Sequence, residues 1–304
     1  MVWSTFLGGL GDELPHSLVV NGQNELLMYG SSGSSNFPCS NNAFDNTFNG
    51  GTAFTPQGVG TTYPNGCDIV LTQLNSDGSN LIMSTYYGGS GNDGVNTAGG
   101  LKFNYADEFR GEIDLDEMGN IYVVGTTQSS DFPLINSTAA AGGMQDVFVL
   151  KMNGIWQLQY AQKWGGSEDE SGCSVAIKDG EVWLCGGTQS LNLPVSNSAY
   201  QSNFGGGSAD GWVAHLSDNG QWLNASYWAK QFMDSTTPPS VIAISSPQLN
   251  ITANSYQEVS GIFGIKLIES SKMRLGVGTS IKGIMATGSF NIQNSGATFR
   301  TMLS

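Results

Sequence analysis

The chain has 304 residues, of which 42 are glycine and only 12% are charged, with a formal net charge of −14. Glycine at about twice its usual share of ~7%, with charge at about half its usual ~25%, is the composition of a turn-rich all-β protein. The acidic balance excludes the basic footprint that nucleic-acid binding needs, and no run of about 18 apolar residues offers a membrane span.

Three phrases recur along the chain. The first is Trp3-Ser4-Thr5-Phe6-Leu7-Gly8-Gly9, which returns as Met83-Ser84-Thr85-Tyr86-Tyr87-Gly88-Gly89 and, more loosely, as Tyr160-Ala161-Gln162-Lys163-Trp164-Gly165-Gly166. A last echo, Ala225-Ser226-Tyr227-Trp228-Ala229, lacks the glycines. The second is an apolar strand, then small polar residues, then an apolar-Pro step. It runs from Leu26 to Pro38, from Ile121 to Pro133 and from Val182 to Pro194. The third opens a strand with aspartate, at Asp68, Asp146 and Asp210.

Tandem phrases in fixed order mark a repeat architecture. Gly165 and its counterpart Ala229 stand 64 positions apart. The two earlier copies are longer by insertions, one near 52–65 and one near 94–109. Each unit reads as four short strands; in the second copy these are 84–87, 112–115, 120–125 and 147–152. Hairpin signals separate them at Asn21-Gly22-Gln23-Asn24, Asp116-Glu117-Met118-Gly119-Asn120 and Asp179-Gly180. Four short antiparallel strands in tandem predict a β-propeller-like layout. Three units occupy residues 1–229. Residues 230–304 read as a degenerate fourth unit or a separate β element, with strands expected at 241–244, 249–253, 273–277 and 281–288. The insertions, absent from the third copy, are expected to project as dispensable loops.

The four cysteines, Cys39, Cys67, Cys173 and Cys185, form no C-x-x-C pair, so zinc and redox motifs are weak. Cys173 and Cys185 flank the turn at Asp179-Gly180. A two-residue turn would put them on opposite faces of the hairpin, and a three-residue turn would pair them. Disulfide and buried free thiols both stand as readings.

The phrases resemble the bacterial β-propeller repeat called the SBBP repeat. The match is carried by Ser84-Thr85-Tyr86-Tyr87-Gly88-Gly89-Ser90-Gly91-Asn92-Asp93, by residues 116–133 and by residues 206–216, and it extends over about residues 2–229. The resemblance implies export and a cell-surface location, as in large proteins of Bacteroidota-like bacteria linked to type IX secretion or gliding motility. It implies no catalytic residues. The opening residues show no basic region followed by an apolar stretch, so an export signal is expected upstream or already removed, and the segment is expected to belong to a larger chain or envelope complex.

Only two histidines occur, His16 and His215, and no Gly-x-Ser-x-Gly, H-E-x-x-H or P-loop motif is present. Acidic residues recur near the Gly-Gly turns. Asp12, Asp93 and Asp169 are therefore candidate calcium ligands, weighed against capping of turns by backbone hydrogen bonds. The aromatics of the first phrase are expected to pack between units. Those of the insertions, Phe54, Tyr63, Phe103, Tyr105 and Phe109, are the candidate binding residues, because loops on a rigid scaffold often carry recognition. The expectation is a non-enzymatic surface module for adhesion, display or binding of protein or glycan, needing no cofactor beyond calcium. A glycan-active enzyme and a pure structural spacer are the alternatives.

Overall fold

The computed structural model describes residues 3–57, 59–102, 107–137 and 141–228, together with two short strands at 265–268 and 272–275. It is all-β. The first sheet is β1 (Glu13–Val20), β2 (Leu26–Ser32), β3 (Asp68–Leu74) and β4 (Leu81–Tyr87). The second is β5 (Glu112–Leu115), β6 (Ile121–Thr127), β7 (Asp146–Met152) and β8 (Leu158–Trp164). The third is β9 (Glu170–Lys178), β10 (Glu181–Thr188), β11 (Asp210–Leu216) and β12 (Trp222–Trp228). Each sheet is an antiparallel meander in chain order. The helical content among the described residues is two single 3-10 turns, Gly99–Leu101 and Asp107–Phe109.

The sheets correct the phasing of the repeat. The sequence places residues 84–87 with the strands that follow them, but β4 completes the first sheet, pairing Ile69 with Tyr87 and Leu71 with Thr85. The Gly-Gly steps are thus corners between sheets and not openings of units. Residues 3–7 carry the same phrase without forming a strand: Trp3 donates its indole N–H to Ser76 O at 2.9 Å, and Phe6 is fully exposed.

Side chains alternate faces along a strand, and in the second sheet both faces are covered. Ile121 and Val123 of β6, with Phe148 and Leu150 of β7, pack on Tyr29, Ile69, Leu71 and Tyr87 of the first sheet. Their neighbours Tyr122, Val124, Val147 and Val149 pack on Val175, Val182, Leu184 and Trp212 of the third. Burial on both sides is why β6 and β7 read as near-continuous apolar runs rather than alternating ones. The first strands meet in series: β5 packs against β1 and β2, and β9 against β5, β6 and β7. Of the recurring aromatics, Tyr87 packs on Phe132 and Trp164 on Trp212 across units, Tyr86 and Tyr227 are buried within their own units, and Trp228 is half exposed.

The fourth strand of each sheet is an edge, and an open edge invites pairing with other chains. Here the loop from the second to the third strand folds back over it. Ser40 N donates to Ser84 O, Ser196 N to Ala225 O, and Ile135 exchanges two backbone bonds with Ala161. The three covered positions, Ser84, Ala161 and Ala225, are equivalent in the repeat.

Of the tail, β13 (Ile265–Ile268) and β14 (Lys272–Leu275) form a hairpin. β14 overlaps the strand expected at 273–277, and β13 falls where none was expected. The strands expected at 241–244, 249–253 and 281–288 lie outside the described residues.

Candidate functional site

One end of the sheets carries the Gly-Gly corners, and each corner is built on a carboxylate four residues after the second glycine, half-buried at Glu13 and buried at Asp93 and Glu170. Glu13 accepts from Gly9 N (3.2 Å), Ser32 Oγ (3.0 Å) and Ser34 Oγ. Asp93 accepts from Gly89 N (2.7 Å), Thr127 Oγ1 and Ser129 Oγ (2.7 Å). Glu170 accepts from Gly166 N (2.7 Å), Thr188 Oγ1 (2.5 Å) and the Ser190 hydroxyl. A second layer repeats as faithfully. Gly11 N, Gly91 N and Glu168 N donate to Ser34, Ser129 and Ser190, while Leu10 N, Ser90 N and Ser167 N donate to the side-chain oxygens of Asn36, Asp131 and Asn192. Backbone groups in a turn without ladder partners need such acceptors.

The last strand closes the corner from outside. Tyr86 donates to Ser34 O, and Tyr227 donates to Ser190 O at 2.8 Å. In the middle sheet a lysine does this work: Lys163 Nζ reaches Ser129 O at 3.1 Å and pairs with Asp146 at 3.1 Å. Burial drives the carboxyls of Asp93 and Glu170 upward, to about 6 and about 7.

These corners decide how the candidate calcium residues sit. Asp93 belongs to the caged set, with Glu13 and Glu170 as its equivalents. Asp12 and Asp169 are instead equivalent to Asn92, one residue earlier, and all three accept backbone N–H groups: Asp12 from Thr62 (2.6 Å), Asn92 from Cys67 (3.2 Å) and Asp169 from Gln145. The three aspartates are thus not one recurring set, and no grouping of three or more His, Cys, Asp or Glu suited to a metal occurs among the described residues. The pattern [ST]-x-S-x-[ND] after the second strand, read with the acid four residues beyond the Gly-Gly, would have revealed the corner from sequence.

Three residues beyond each corner carboxylate, the first strand is released from its ladder. The register slips between Pro15 and Ser17, leaving His16 as the extra residue of a β-bulge, and slips again on β9, where Cys173 is skipped. In the second sheet the insertion occupies this place, between Asn96 and Glu112. Bulges re-aim side chains and are common next to functional sites. His16 Nε2 bonds Ser31 Oγ (3.0 Å), which bonds Tyr63 Oη (3.0 Å), while the buried His16 Nδ1 and Tyr29 Oη find no partner. Burial pushes the His16 imidazole down to about 3 and the Tyr29 phenol upward, so both rings stay neutral.

The two insertions meet over these bulges instead of projecting. Phe54 and Tyr63 pair as a small hairpin, Phe54 half-buried and Tyr63 fully buried. From the second insertion, Glu108 Oε2 accepts Gln57 N at 2.5 Å, Lys102 pairs with Glu108 at 2.9 Å and lies 5.8 Å over the Phe54 ring, and Arg110 pairs with Asp107. Leu101 is buried against Ala98 and Ala209, and half-buried Phe109 faces His16 at 6.3 Å. Polar bonds to Gln57 and apolar burial at Leu101 make both insertions part of the packed body, contrary to the expected free loops. Phe103 and Tyr105 lie outside the described residues.

At the opposite end a groove of about 550 Å³ separates the first and second sheets, with Trp156, Leu27 and Ile121 among its lining residues. Trp156 holds φ 64 where the equivalent turns use Gly78 and Gly220, and its indole N–H bonds Gln73 at 2.6 Å.

The centre offers Lys102, Arg110, Glu108 and aromatic rings on a rigid support. The thiols beside it are protonated, Cys173 pushed up to about 11 and Cys185 to about 12 by burial. No protein-family model matches the chain, and no curated protein matches it.

Proposed function

We propose that the chain is a propeller-like repeat module of an exported, cell-surface protein, serving adhesion or display by binding protein or glycan without catalysis. The observation that carries this reading is the division of labour around the corners. The recurring carboxylates, hydroxyls and amides are taken up by one internal hydrogen-bond set, repeated three times, which leaves recognition to the non-recurring insertions. Their accessible part combines a half-buried aromatic, Phe54, with Lys102 above it, a pairing suited to a sugar face or a protein surface.

The radial layout is supported by the serial contact of β1, β5 and β9, the first strands of the three sheets. The SBBP resemblance of residues 2–229 supports export and surface location, with residues 230–304 forming a degenerate fourth unit or a separate β element.

The test is binding of the purified chain to glycan arrays and to cell-envelope proteins, alongside turnover assays on common polysaccharides. The expected result is no turnover, and binding weakened about tenfold by Phe54→Ala or Lys102→Ala, the loss of one contact worth about 1.4 kcal/mol. Glycan turnover abolished by Asp107→Asn, Glu108→Gln or Glu112→Gln would overturn the non-enzymatic reading.

A further inference from the structure

The bulge on β9 changes the relation between two cysteines. The turn Asp179-Gly180 has two residues, both at positive φ (53 and 78), so the hairpin register alone would place Cys173 and Cys185 on opposite faces. The extra residue removes that parity. Val175 faces the second sheet, packed in the shared core, and a side chain at Gly172 would point the same way, into Val124 and Val147. Between two positions of one face a regular strand holds an odd number of residues; here there are two, so Cys173 turns to the other face, while the Ser174 hydroxyl at the strand's free edge bonds Glu112 of β5.

Ser171 lies on that other face too, its Oγ 3.9 Å from Cys173 Sγ. Across the ladder, Leu184 packs toward the second sheet and Cys185 alternates away from it, opposite Ser174. Cys173 and Cys185 therefore crowd one rung of one face. Both cysteines are free, with the residues half-buried but the thiol groups buried, and both feel the same guanidinium, Arg110. The equivalent positions in the first sheet hold His16 and Tyr29, whose ring centroids lie 4.9 Å apart, so packing of the repeat does not demand a pair of thiols here.

We propose that Cys173 and Cys185 are a reversible disulfide site, oxidised by exchange with a low-molecular-weight disulfide. One cysteine thiolate attacks a sulfur of that reagent, forming a mixed disulfide and expelling one small thiolate. The second cysteine thiolate then attacks the protein-side sulfur, forming the Cys173–Cys185 bond and expelling the other. The two cysteines lose two electrons, the reagent gains them, and the two protons released by the cysteines end on the two small thiols. The bond ties the first strand of the third sheet to its neighbour at the bulge, directly beside Arg110 of the insertion. Because only thiolates attack, exchange is slow at neutral pH and accelerates as pH rises.

The experiment is incubation of the folded full chain with oxidised glutathione at mildly alkaline pH, alkylation of remaining thiols, and peptide mapping by mass spectrometry. The expected product is a linked Cys173–Cys185 peptide pair lighter by two hydrogens, reverted by dithiothreitol, with Cys39 and Cys67 still alkylated. In Cys173→Ser and Cys185→Ser, a glutathione adduct should persist on the remaining thiol of at least one variant. Separate adducts on both cysteines of the unmutated chain, unreacted alkylatable thiols at both, or crosslinks that favour Cys39 or Cys67 would each overturn the proposal. So would absence of a trapped adduct in both variants.

Discussion

The corner and the bulge stand three residues apart on the first strand of the outer two sheets, and they behave oppositely. At Glu13, Asp93 and Glu170 the same hydrogen bonds recur from sheet to sheet. At the next station there is a histidine in the first sheet, an insertion in the second and a cysteine in the third. The corner must satisfy turn N–H groups that have no ladder partner, and a buried carboxylate with hydroxyl neighbours is one of few ways to do so. The bulge has stepped out of the ladder, so its side chain meets no such demand.

Removing a corner is expected to cost most. Asp93→Ala strands Gly89 N–H and the Thr127 and Ser129 hydroxyls in a buried site, and should lower stability by about 2–4 kcal/mol in urea unfolding. A loss below about 1 kcal/mol would mean that the corner recurs for some reason other than stability. Leu101→Ala, in the second insertion, should cost about 2–3 kcal/mol, because Leu101 is buried against Ala209 of the third sheet. If that variant melts like the unmutated chain, the insertion is a dispensable loop after all.

Protonation sharpens the comparison from the other side. The ordinary values of 3.8 for Asp93 and 4.5 for Glu170 rise in the fold to about 6 and about 7. A raised carboxyl binds its proton more tightly folded than unfolded, so its contribution is complete below the ordinary value and is lost as pH climbs through the raised one. The melting temperature should therefore increase as pH falls from about 8 to about 5, and Asp93→Asn should flatten that slope. A melting temperature that declines over this interval would refute the assignment. The smallest effect belongs to the bulge. His16→Leu removes a ring whose Nδ1 has no partner and leaves Ser31 bonded to Tyr63, so denaturant midpoints should shift by about 1 kcal/mol or less.

Much of this was legible in the sequence. Strand number, antiparallel pairing and the hairpin turns follow from period-2 runs punctuated by Asx-Gly signals. The recurring aromatics pack between units at Tyr87 and Trp164, as expected, but within their own units at Tyr86 and Tyr227. What escaped was the phase of the unit, because a repeat can be cut anywhere along its period and only pairing reveals that 84–87 closes a sheet. The carboxylates of the corner escaped because Glu13 and Glu170 sit beside Asp12 and Asp169, and the eye aligns aspartate with Asp93. The bulges escaped for a physical reason: a one-residue slip leaves no compositional trace, yet it reverses the face of every residue beyond it.

The loop folded over each fourth strand has a consequence for how such a chain can lengthen. With Ser84, Ala161 and Ala225 already engaged, the fourth-strand rim of a sheet is obstructed to a fifth strand, whereas the faces of the sheets pack on their neighbours. Accretion is thereby favoured in the stacking direction. Duplication of a whole unit in the gene would then add one more layer without creating a sticky fourth-strand margin, so the number of layers can drift over evolutionary time while solubility is kept.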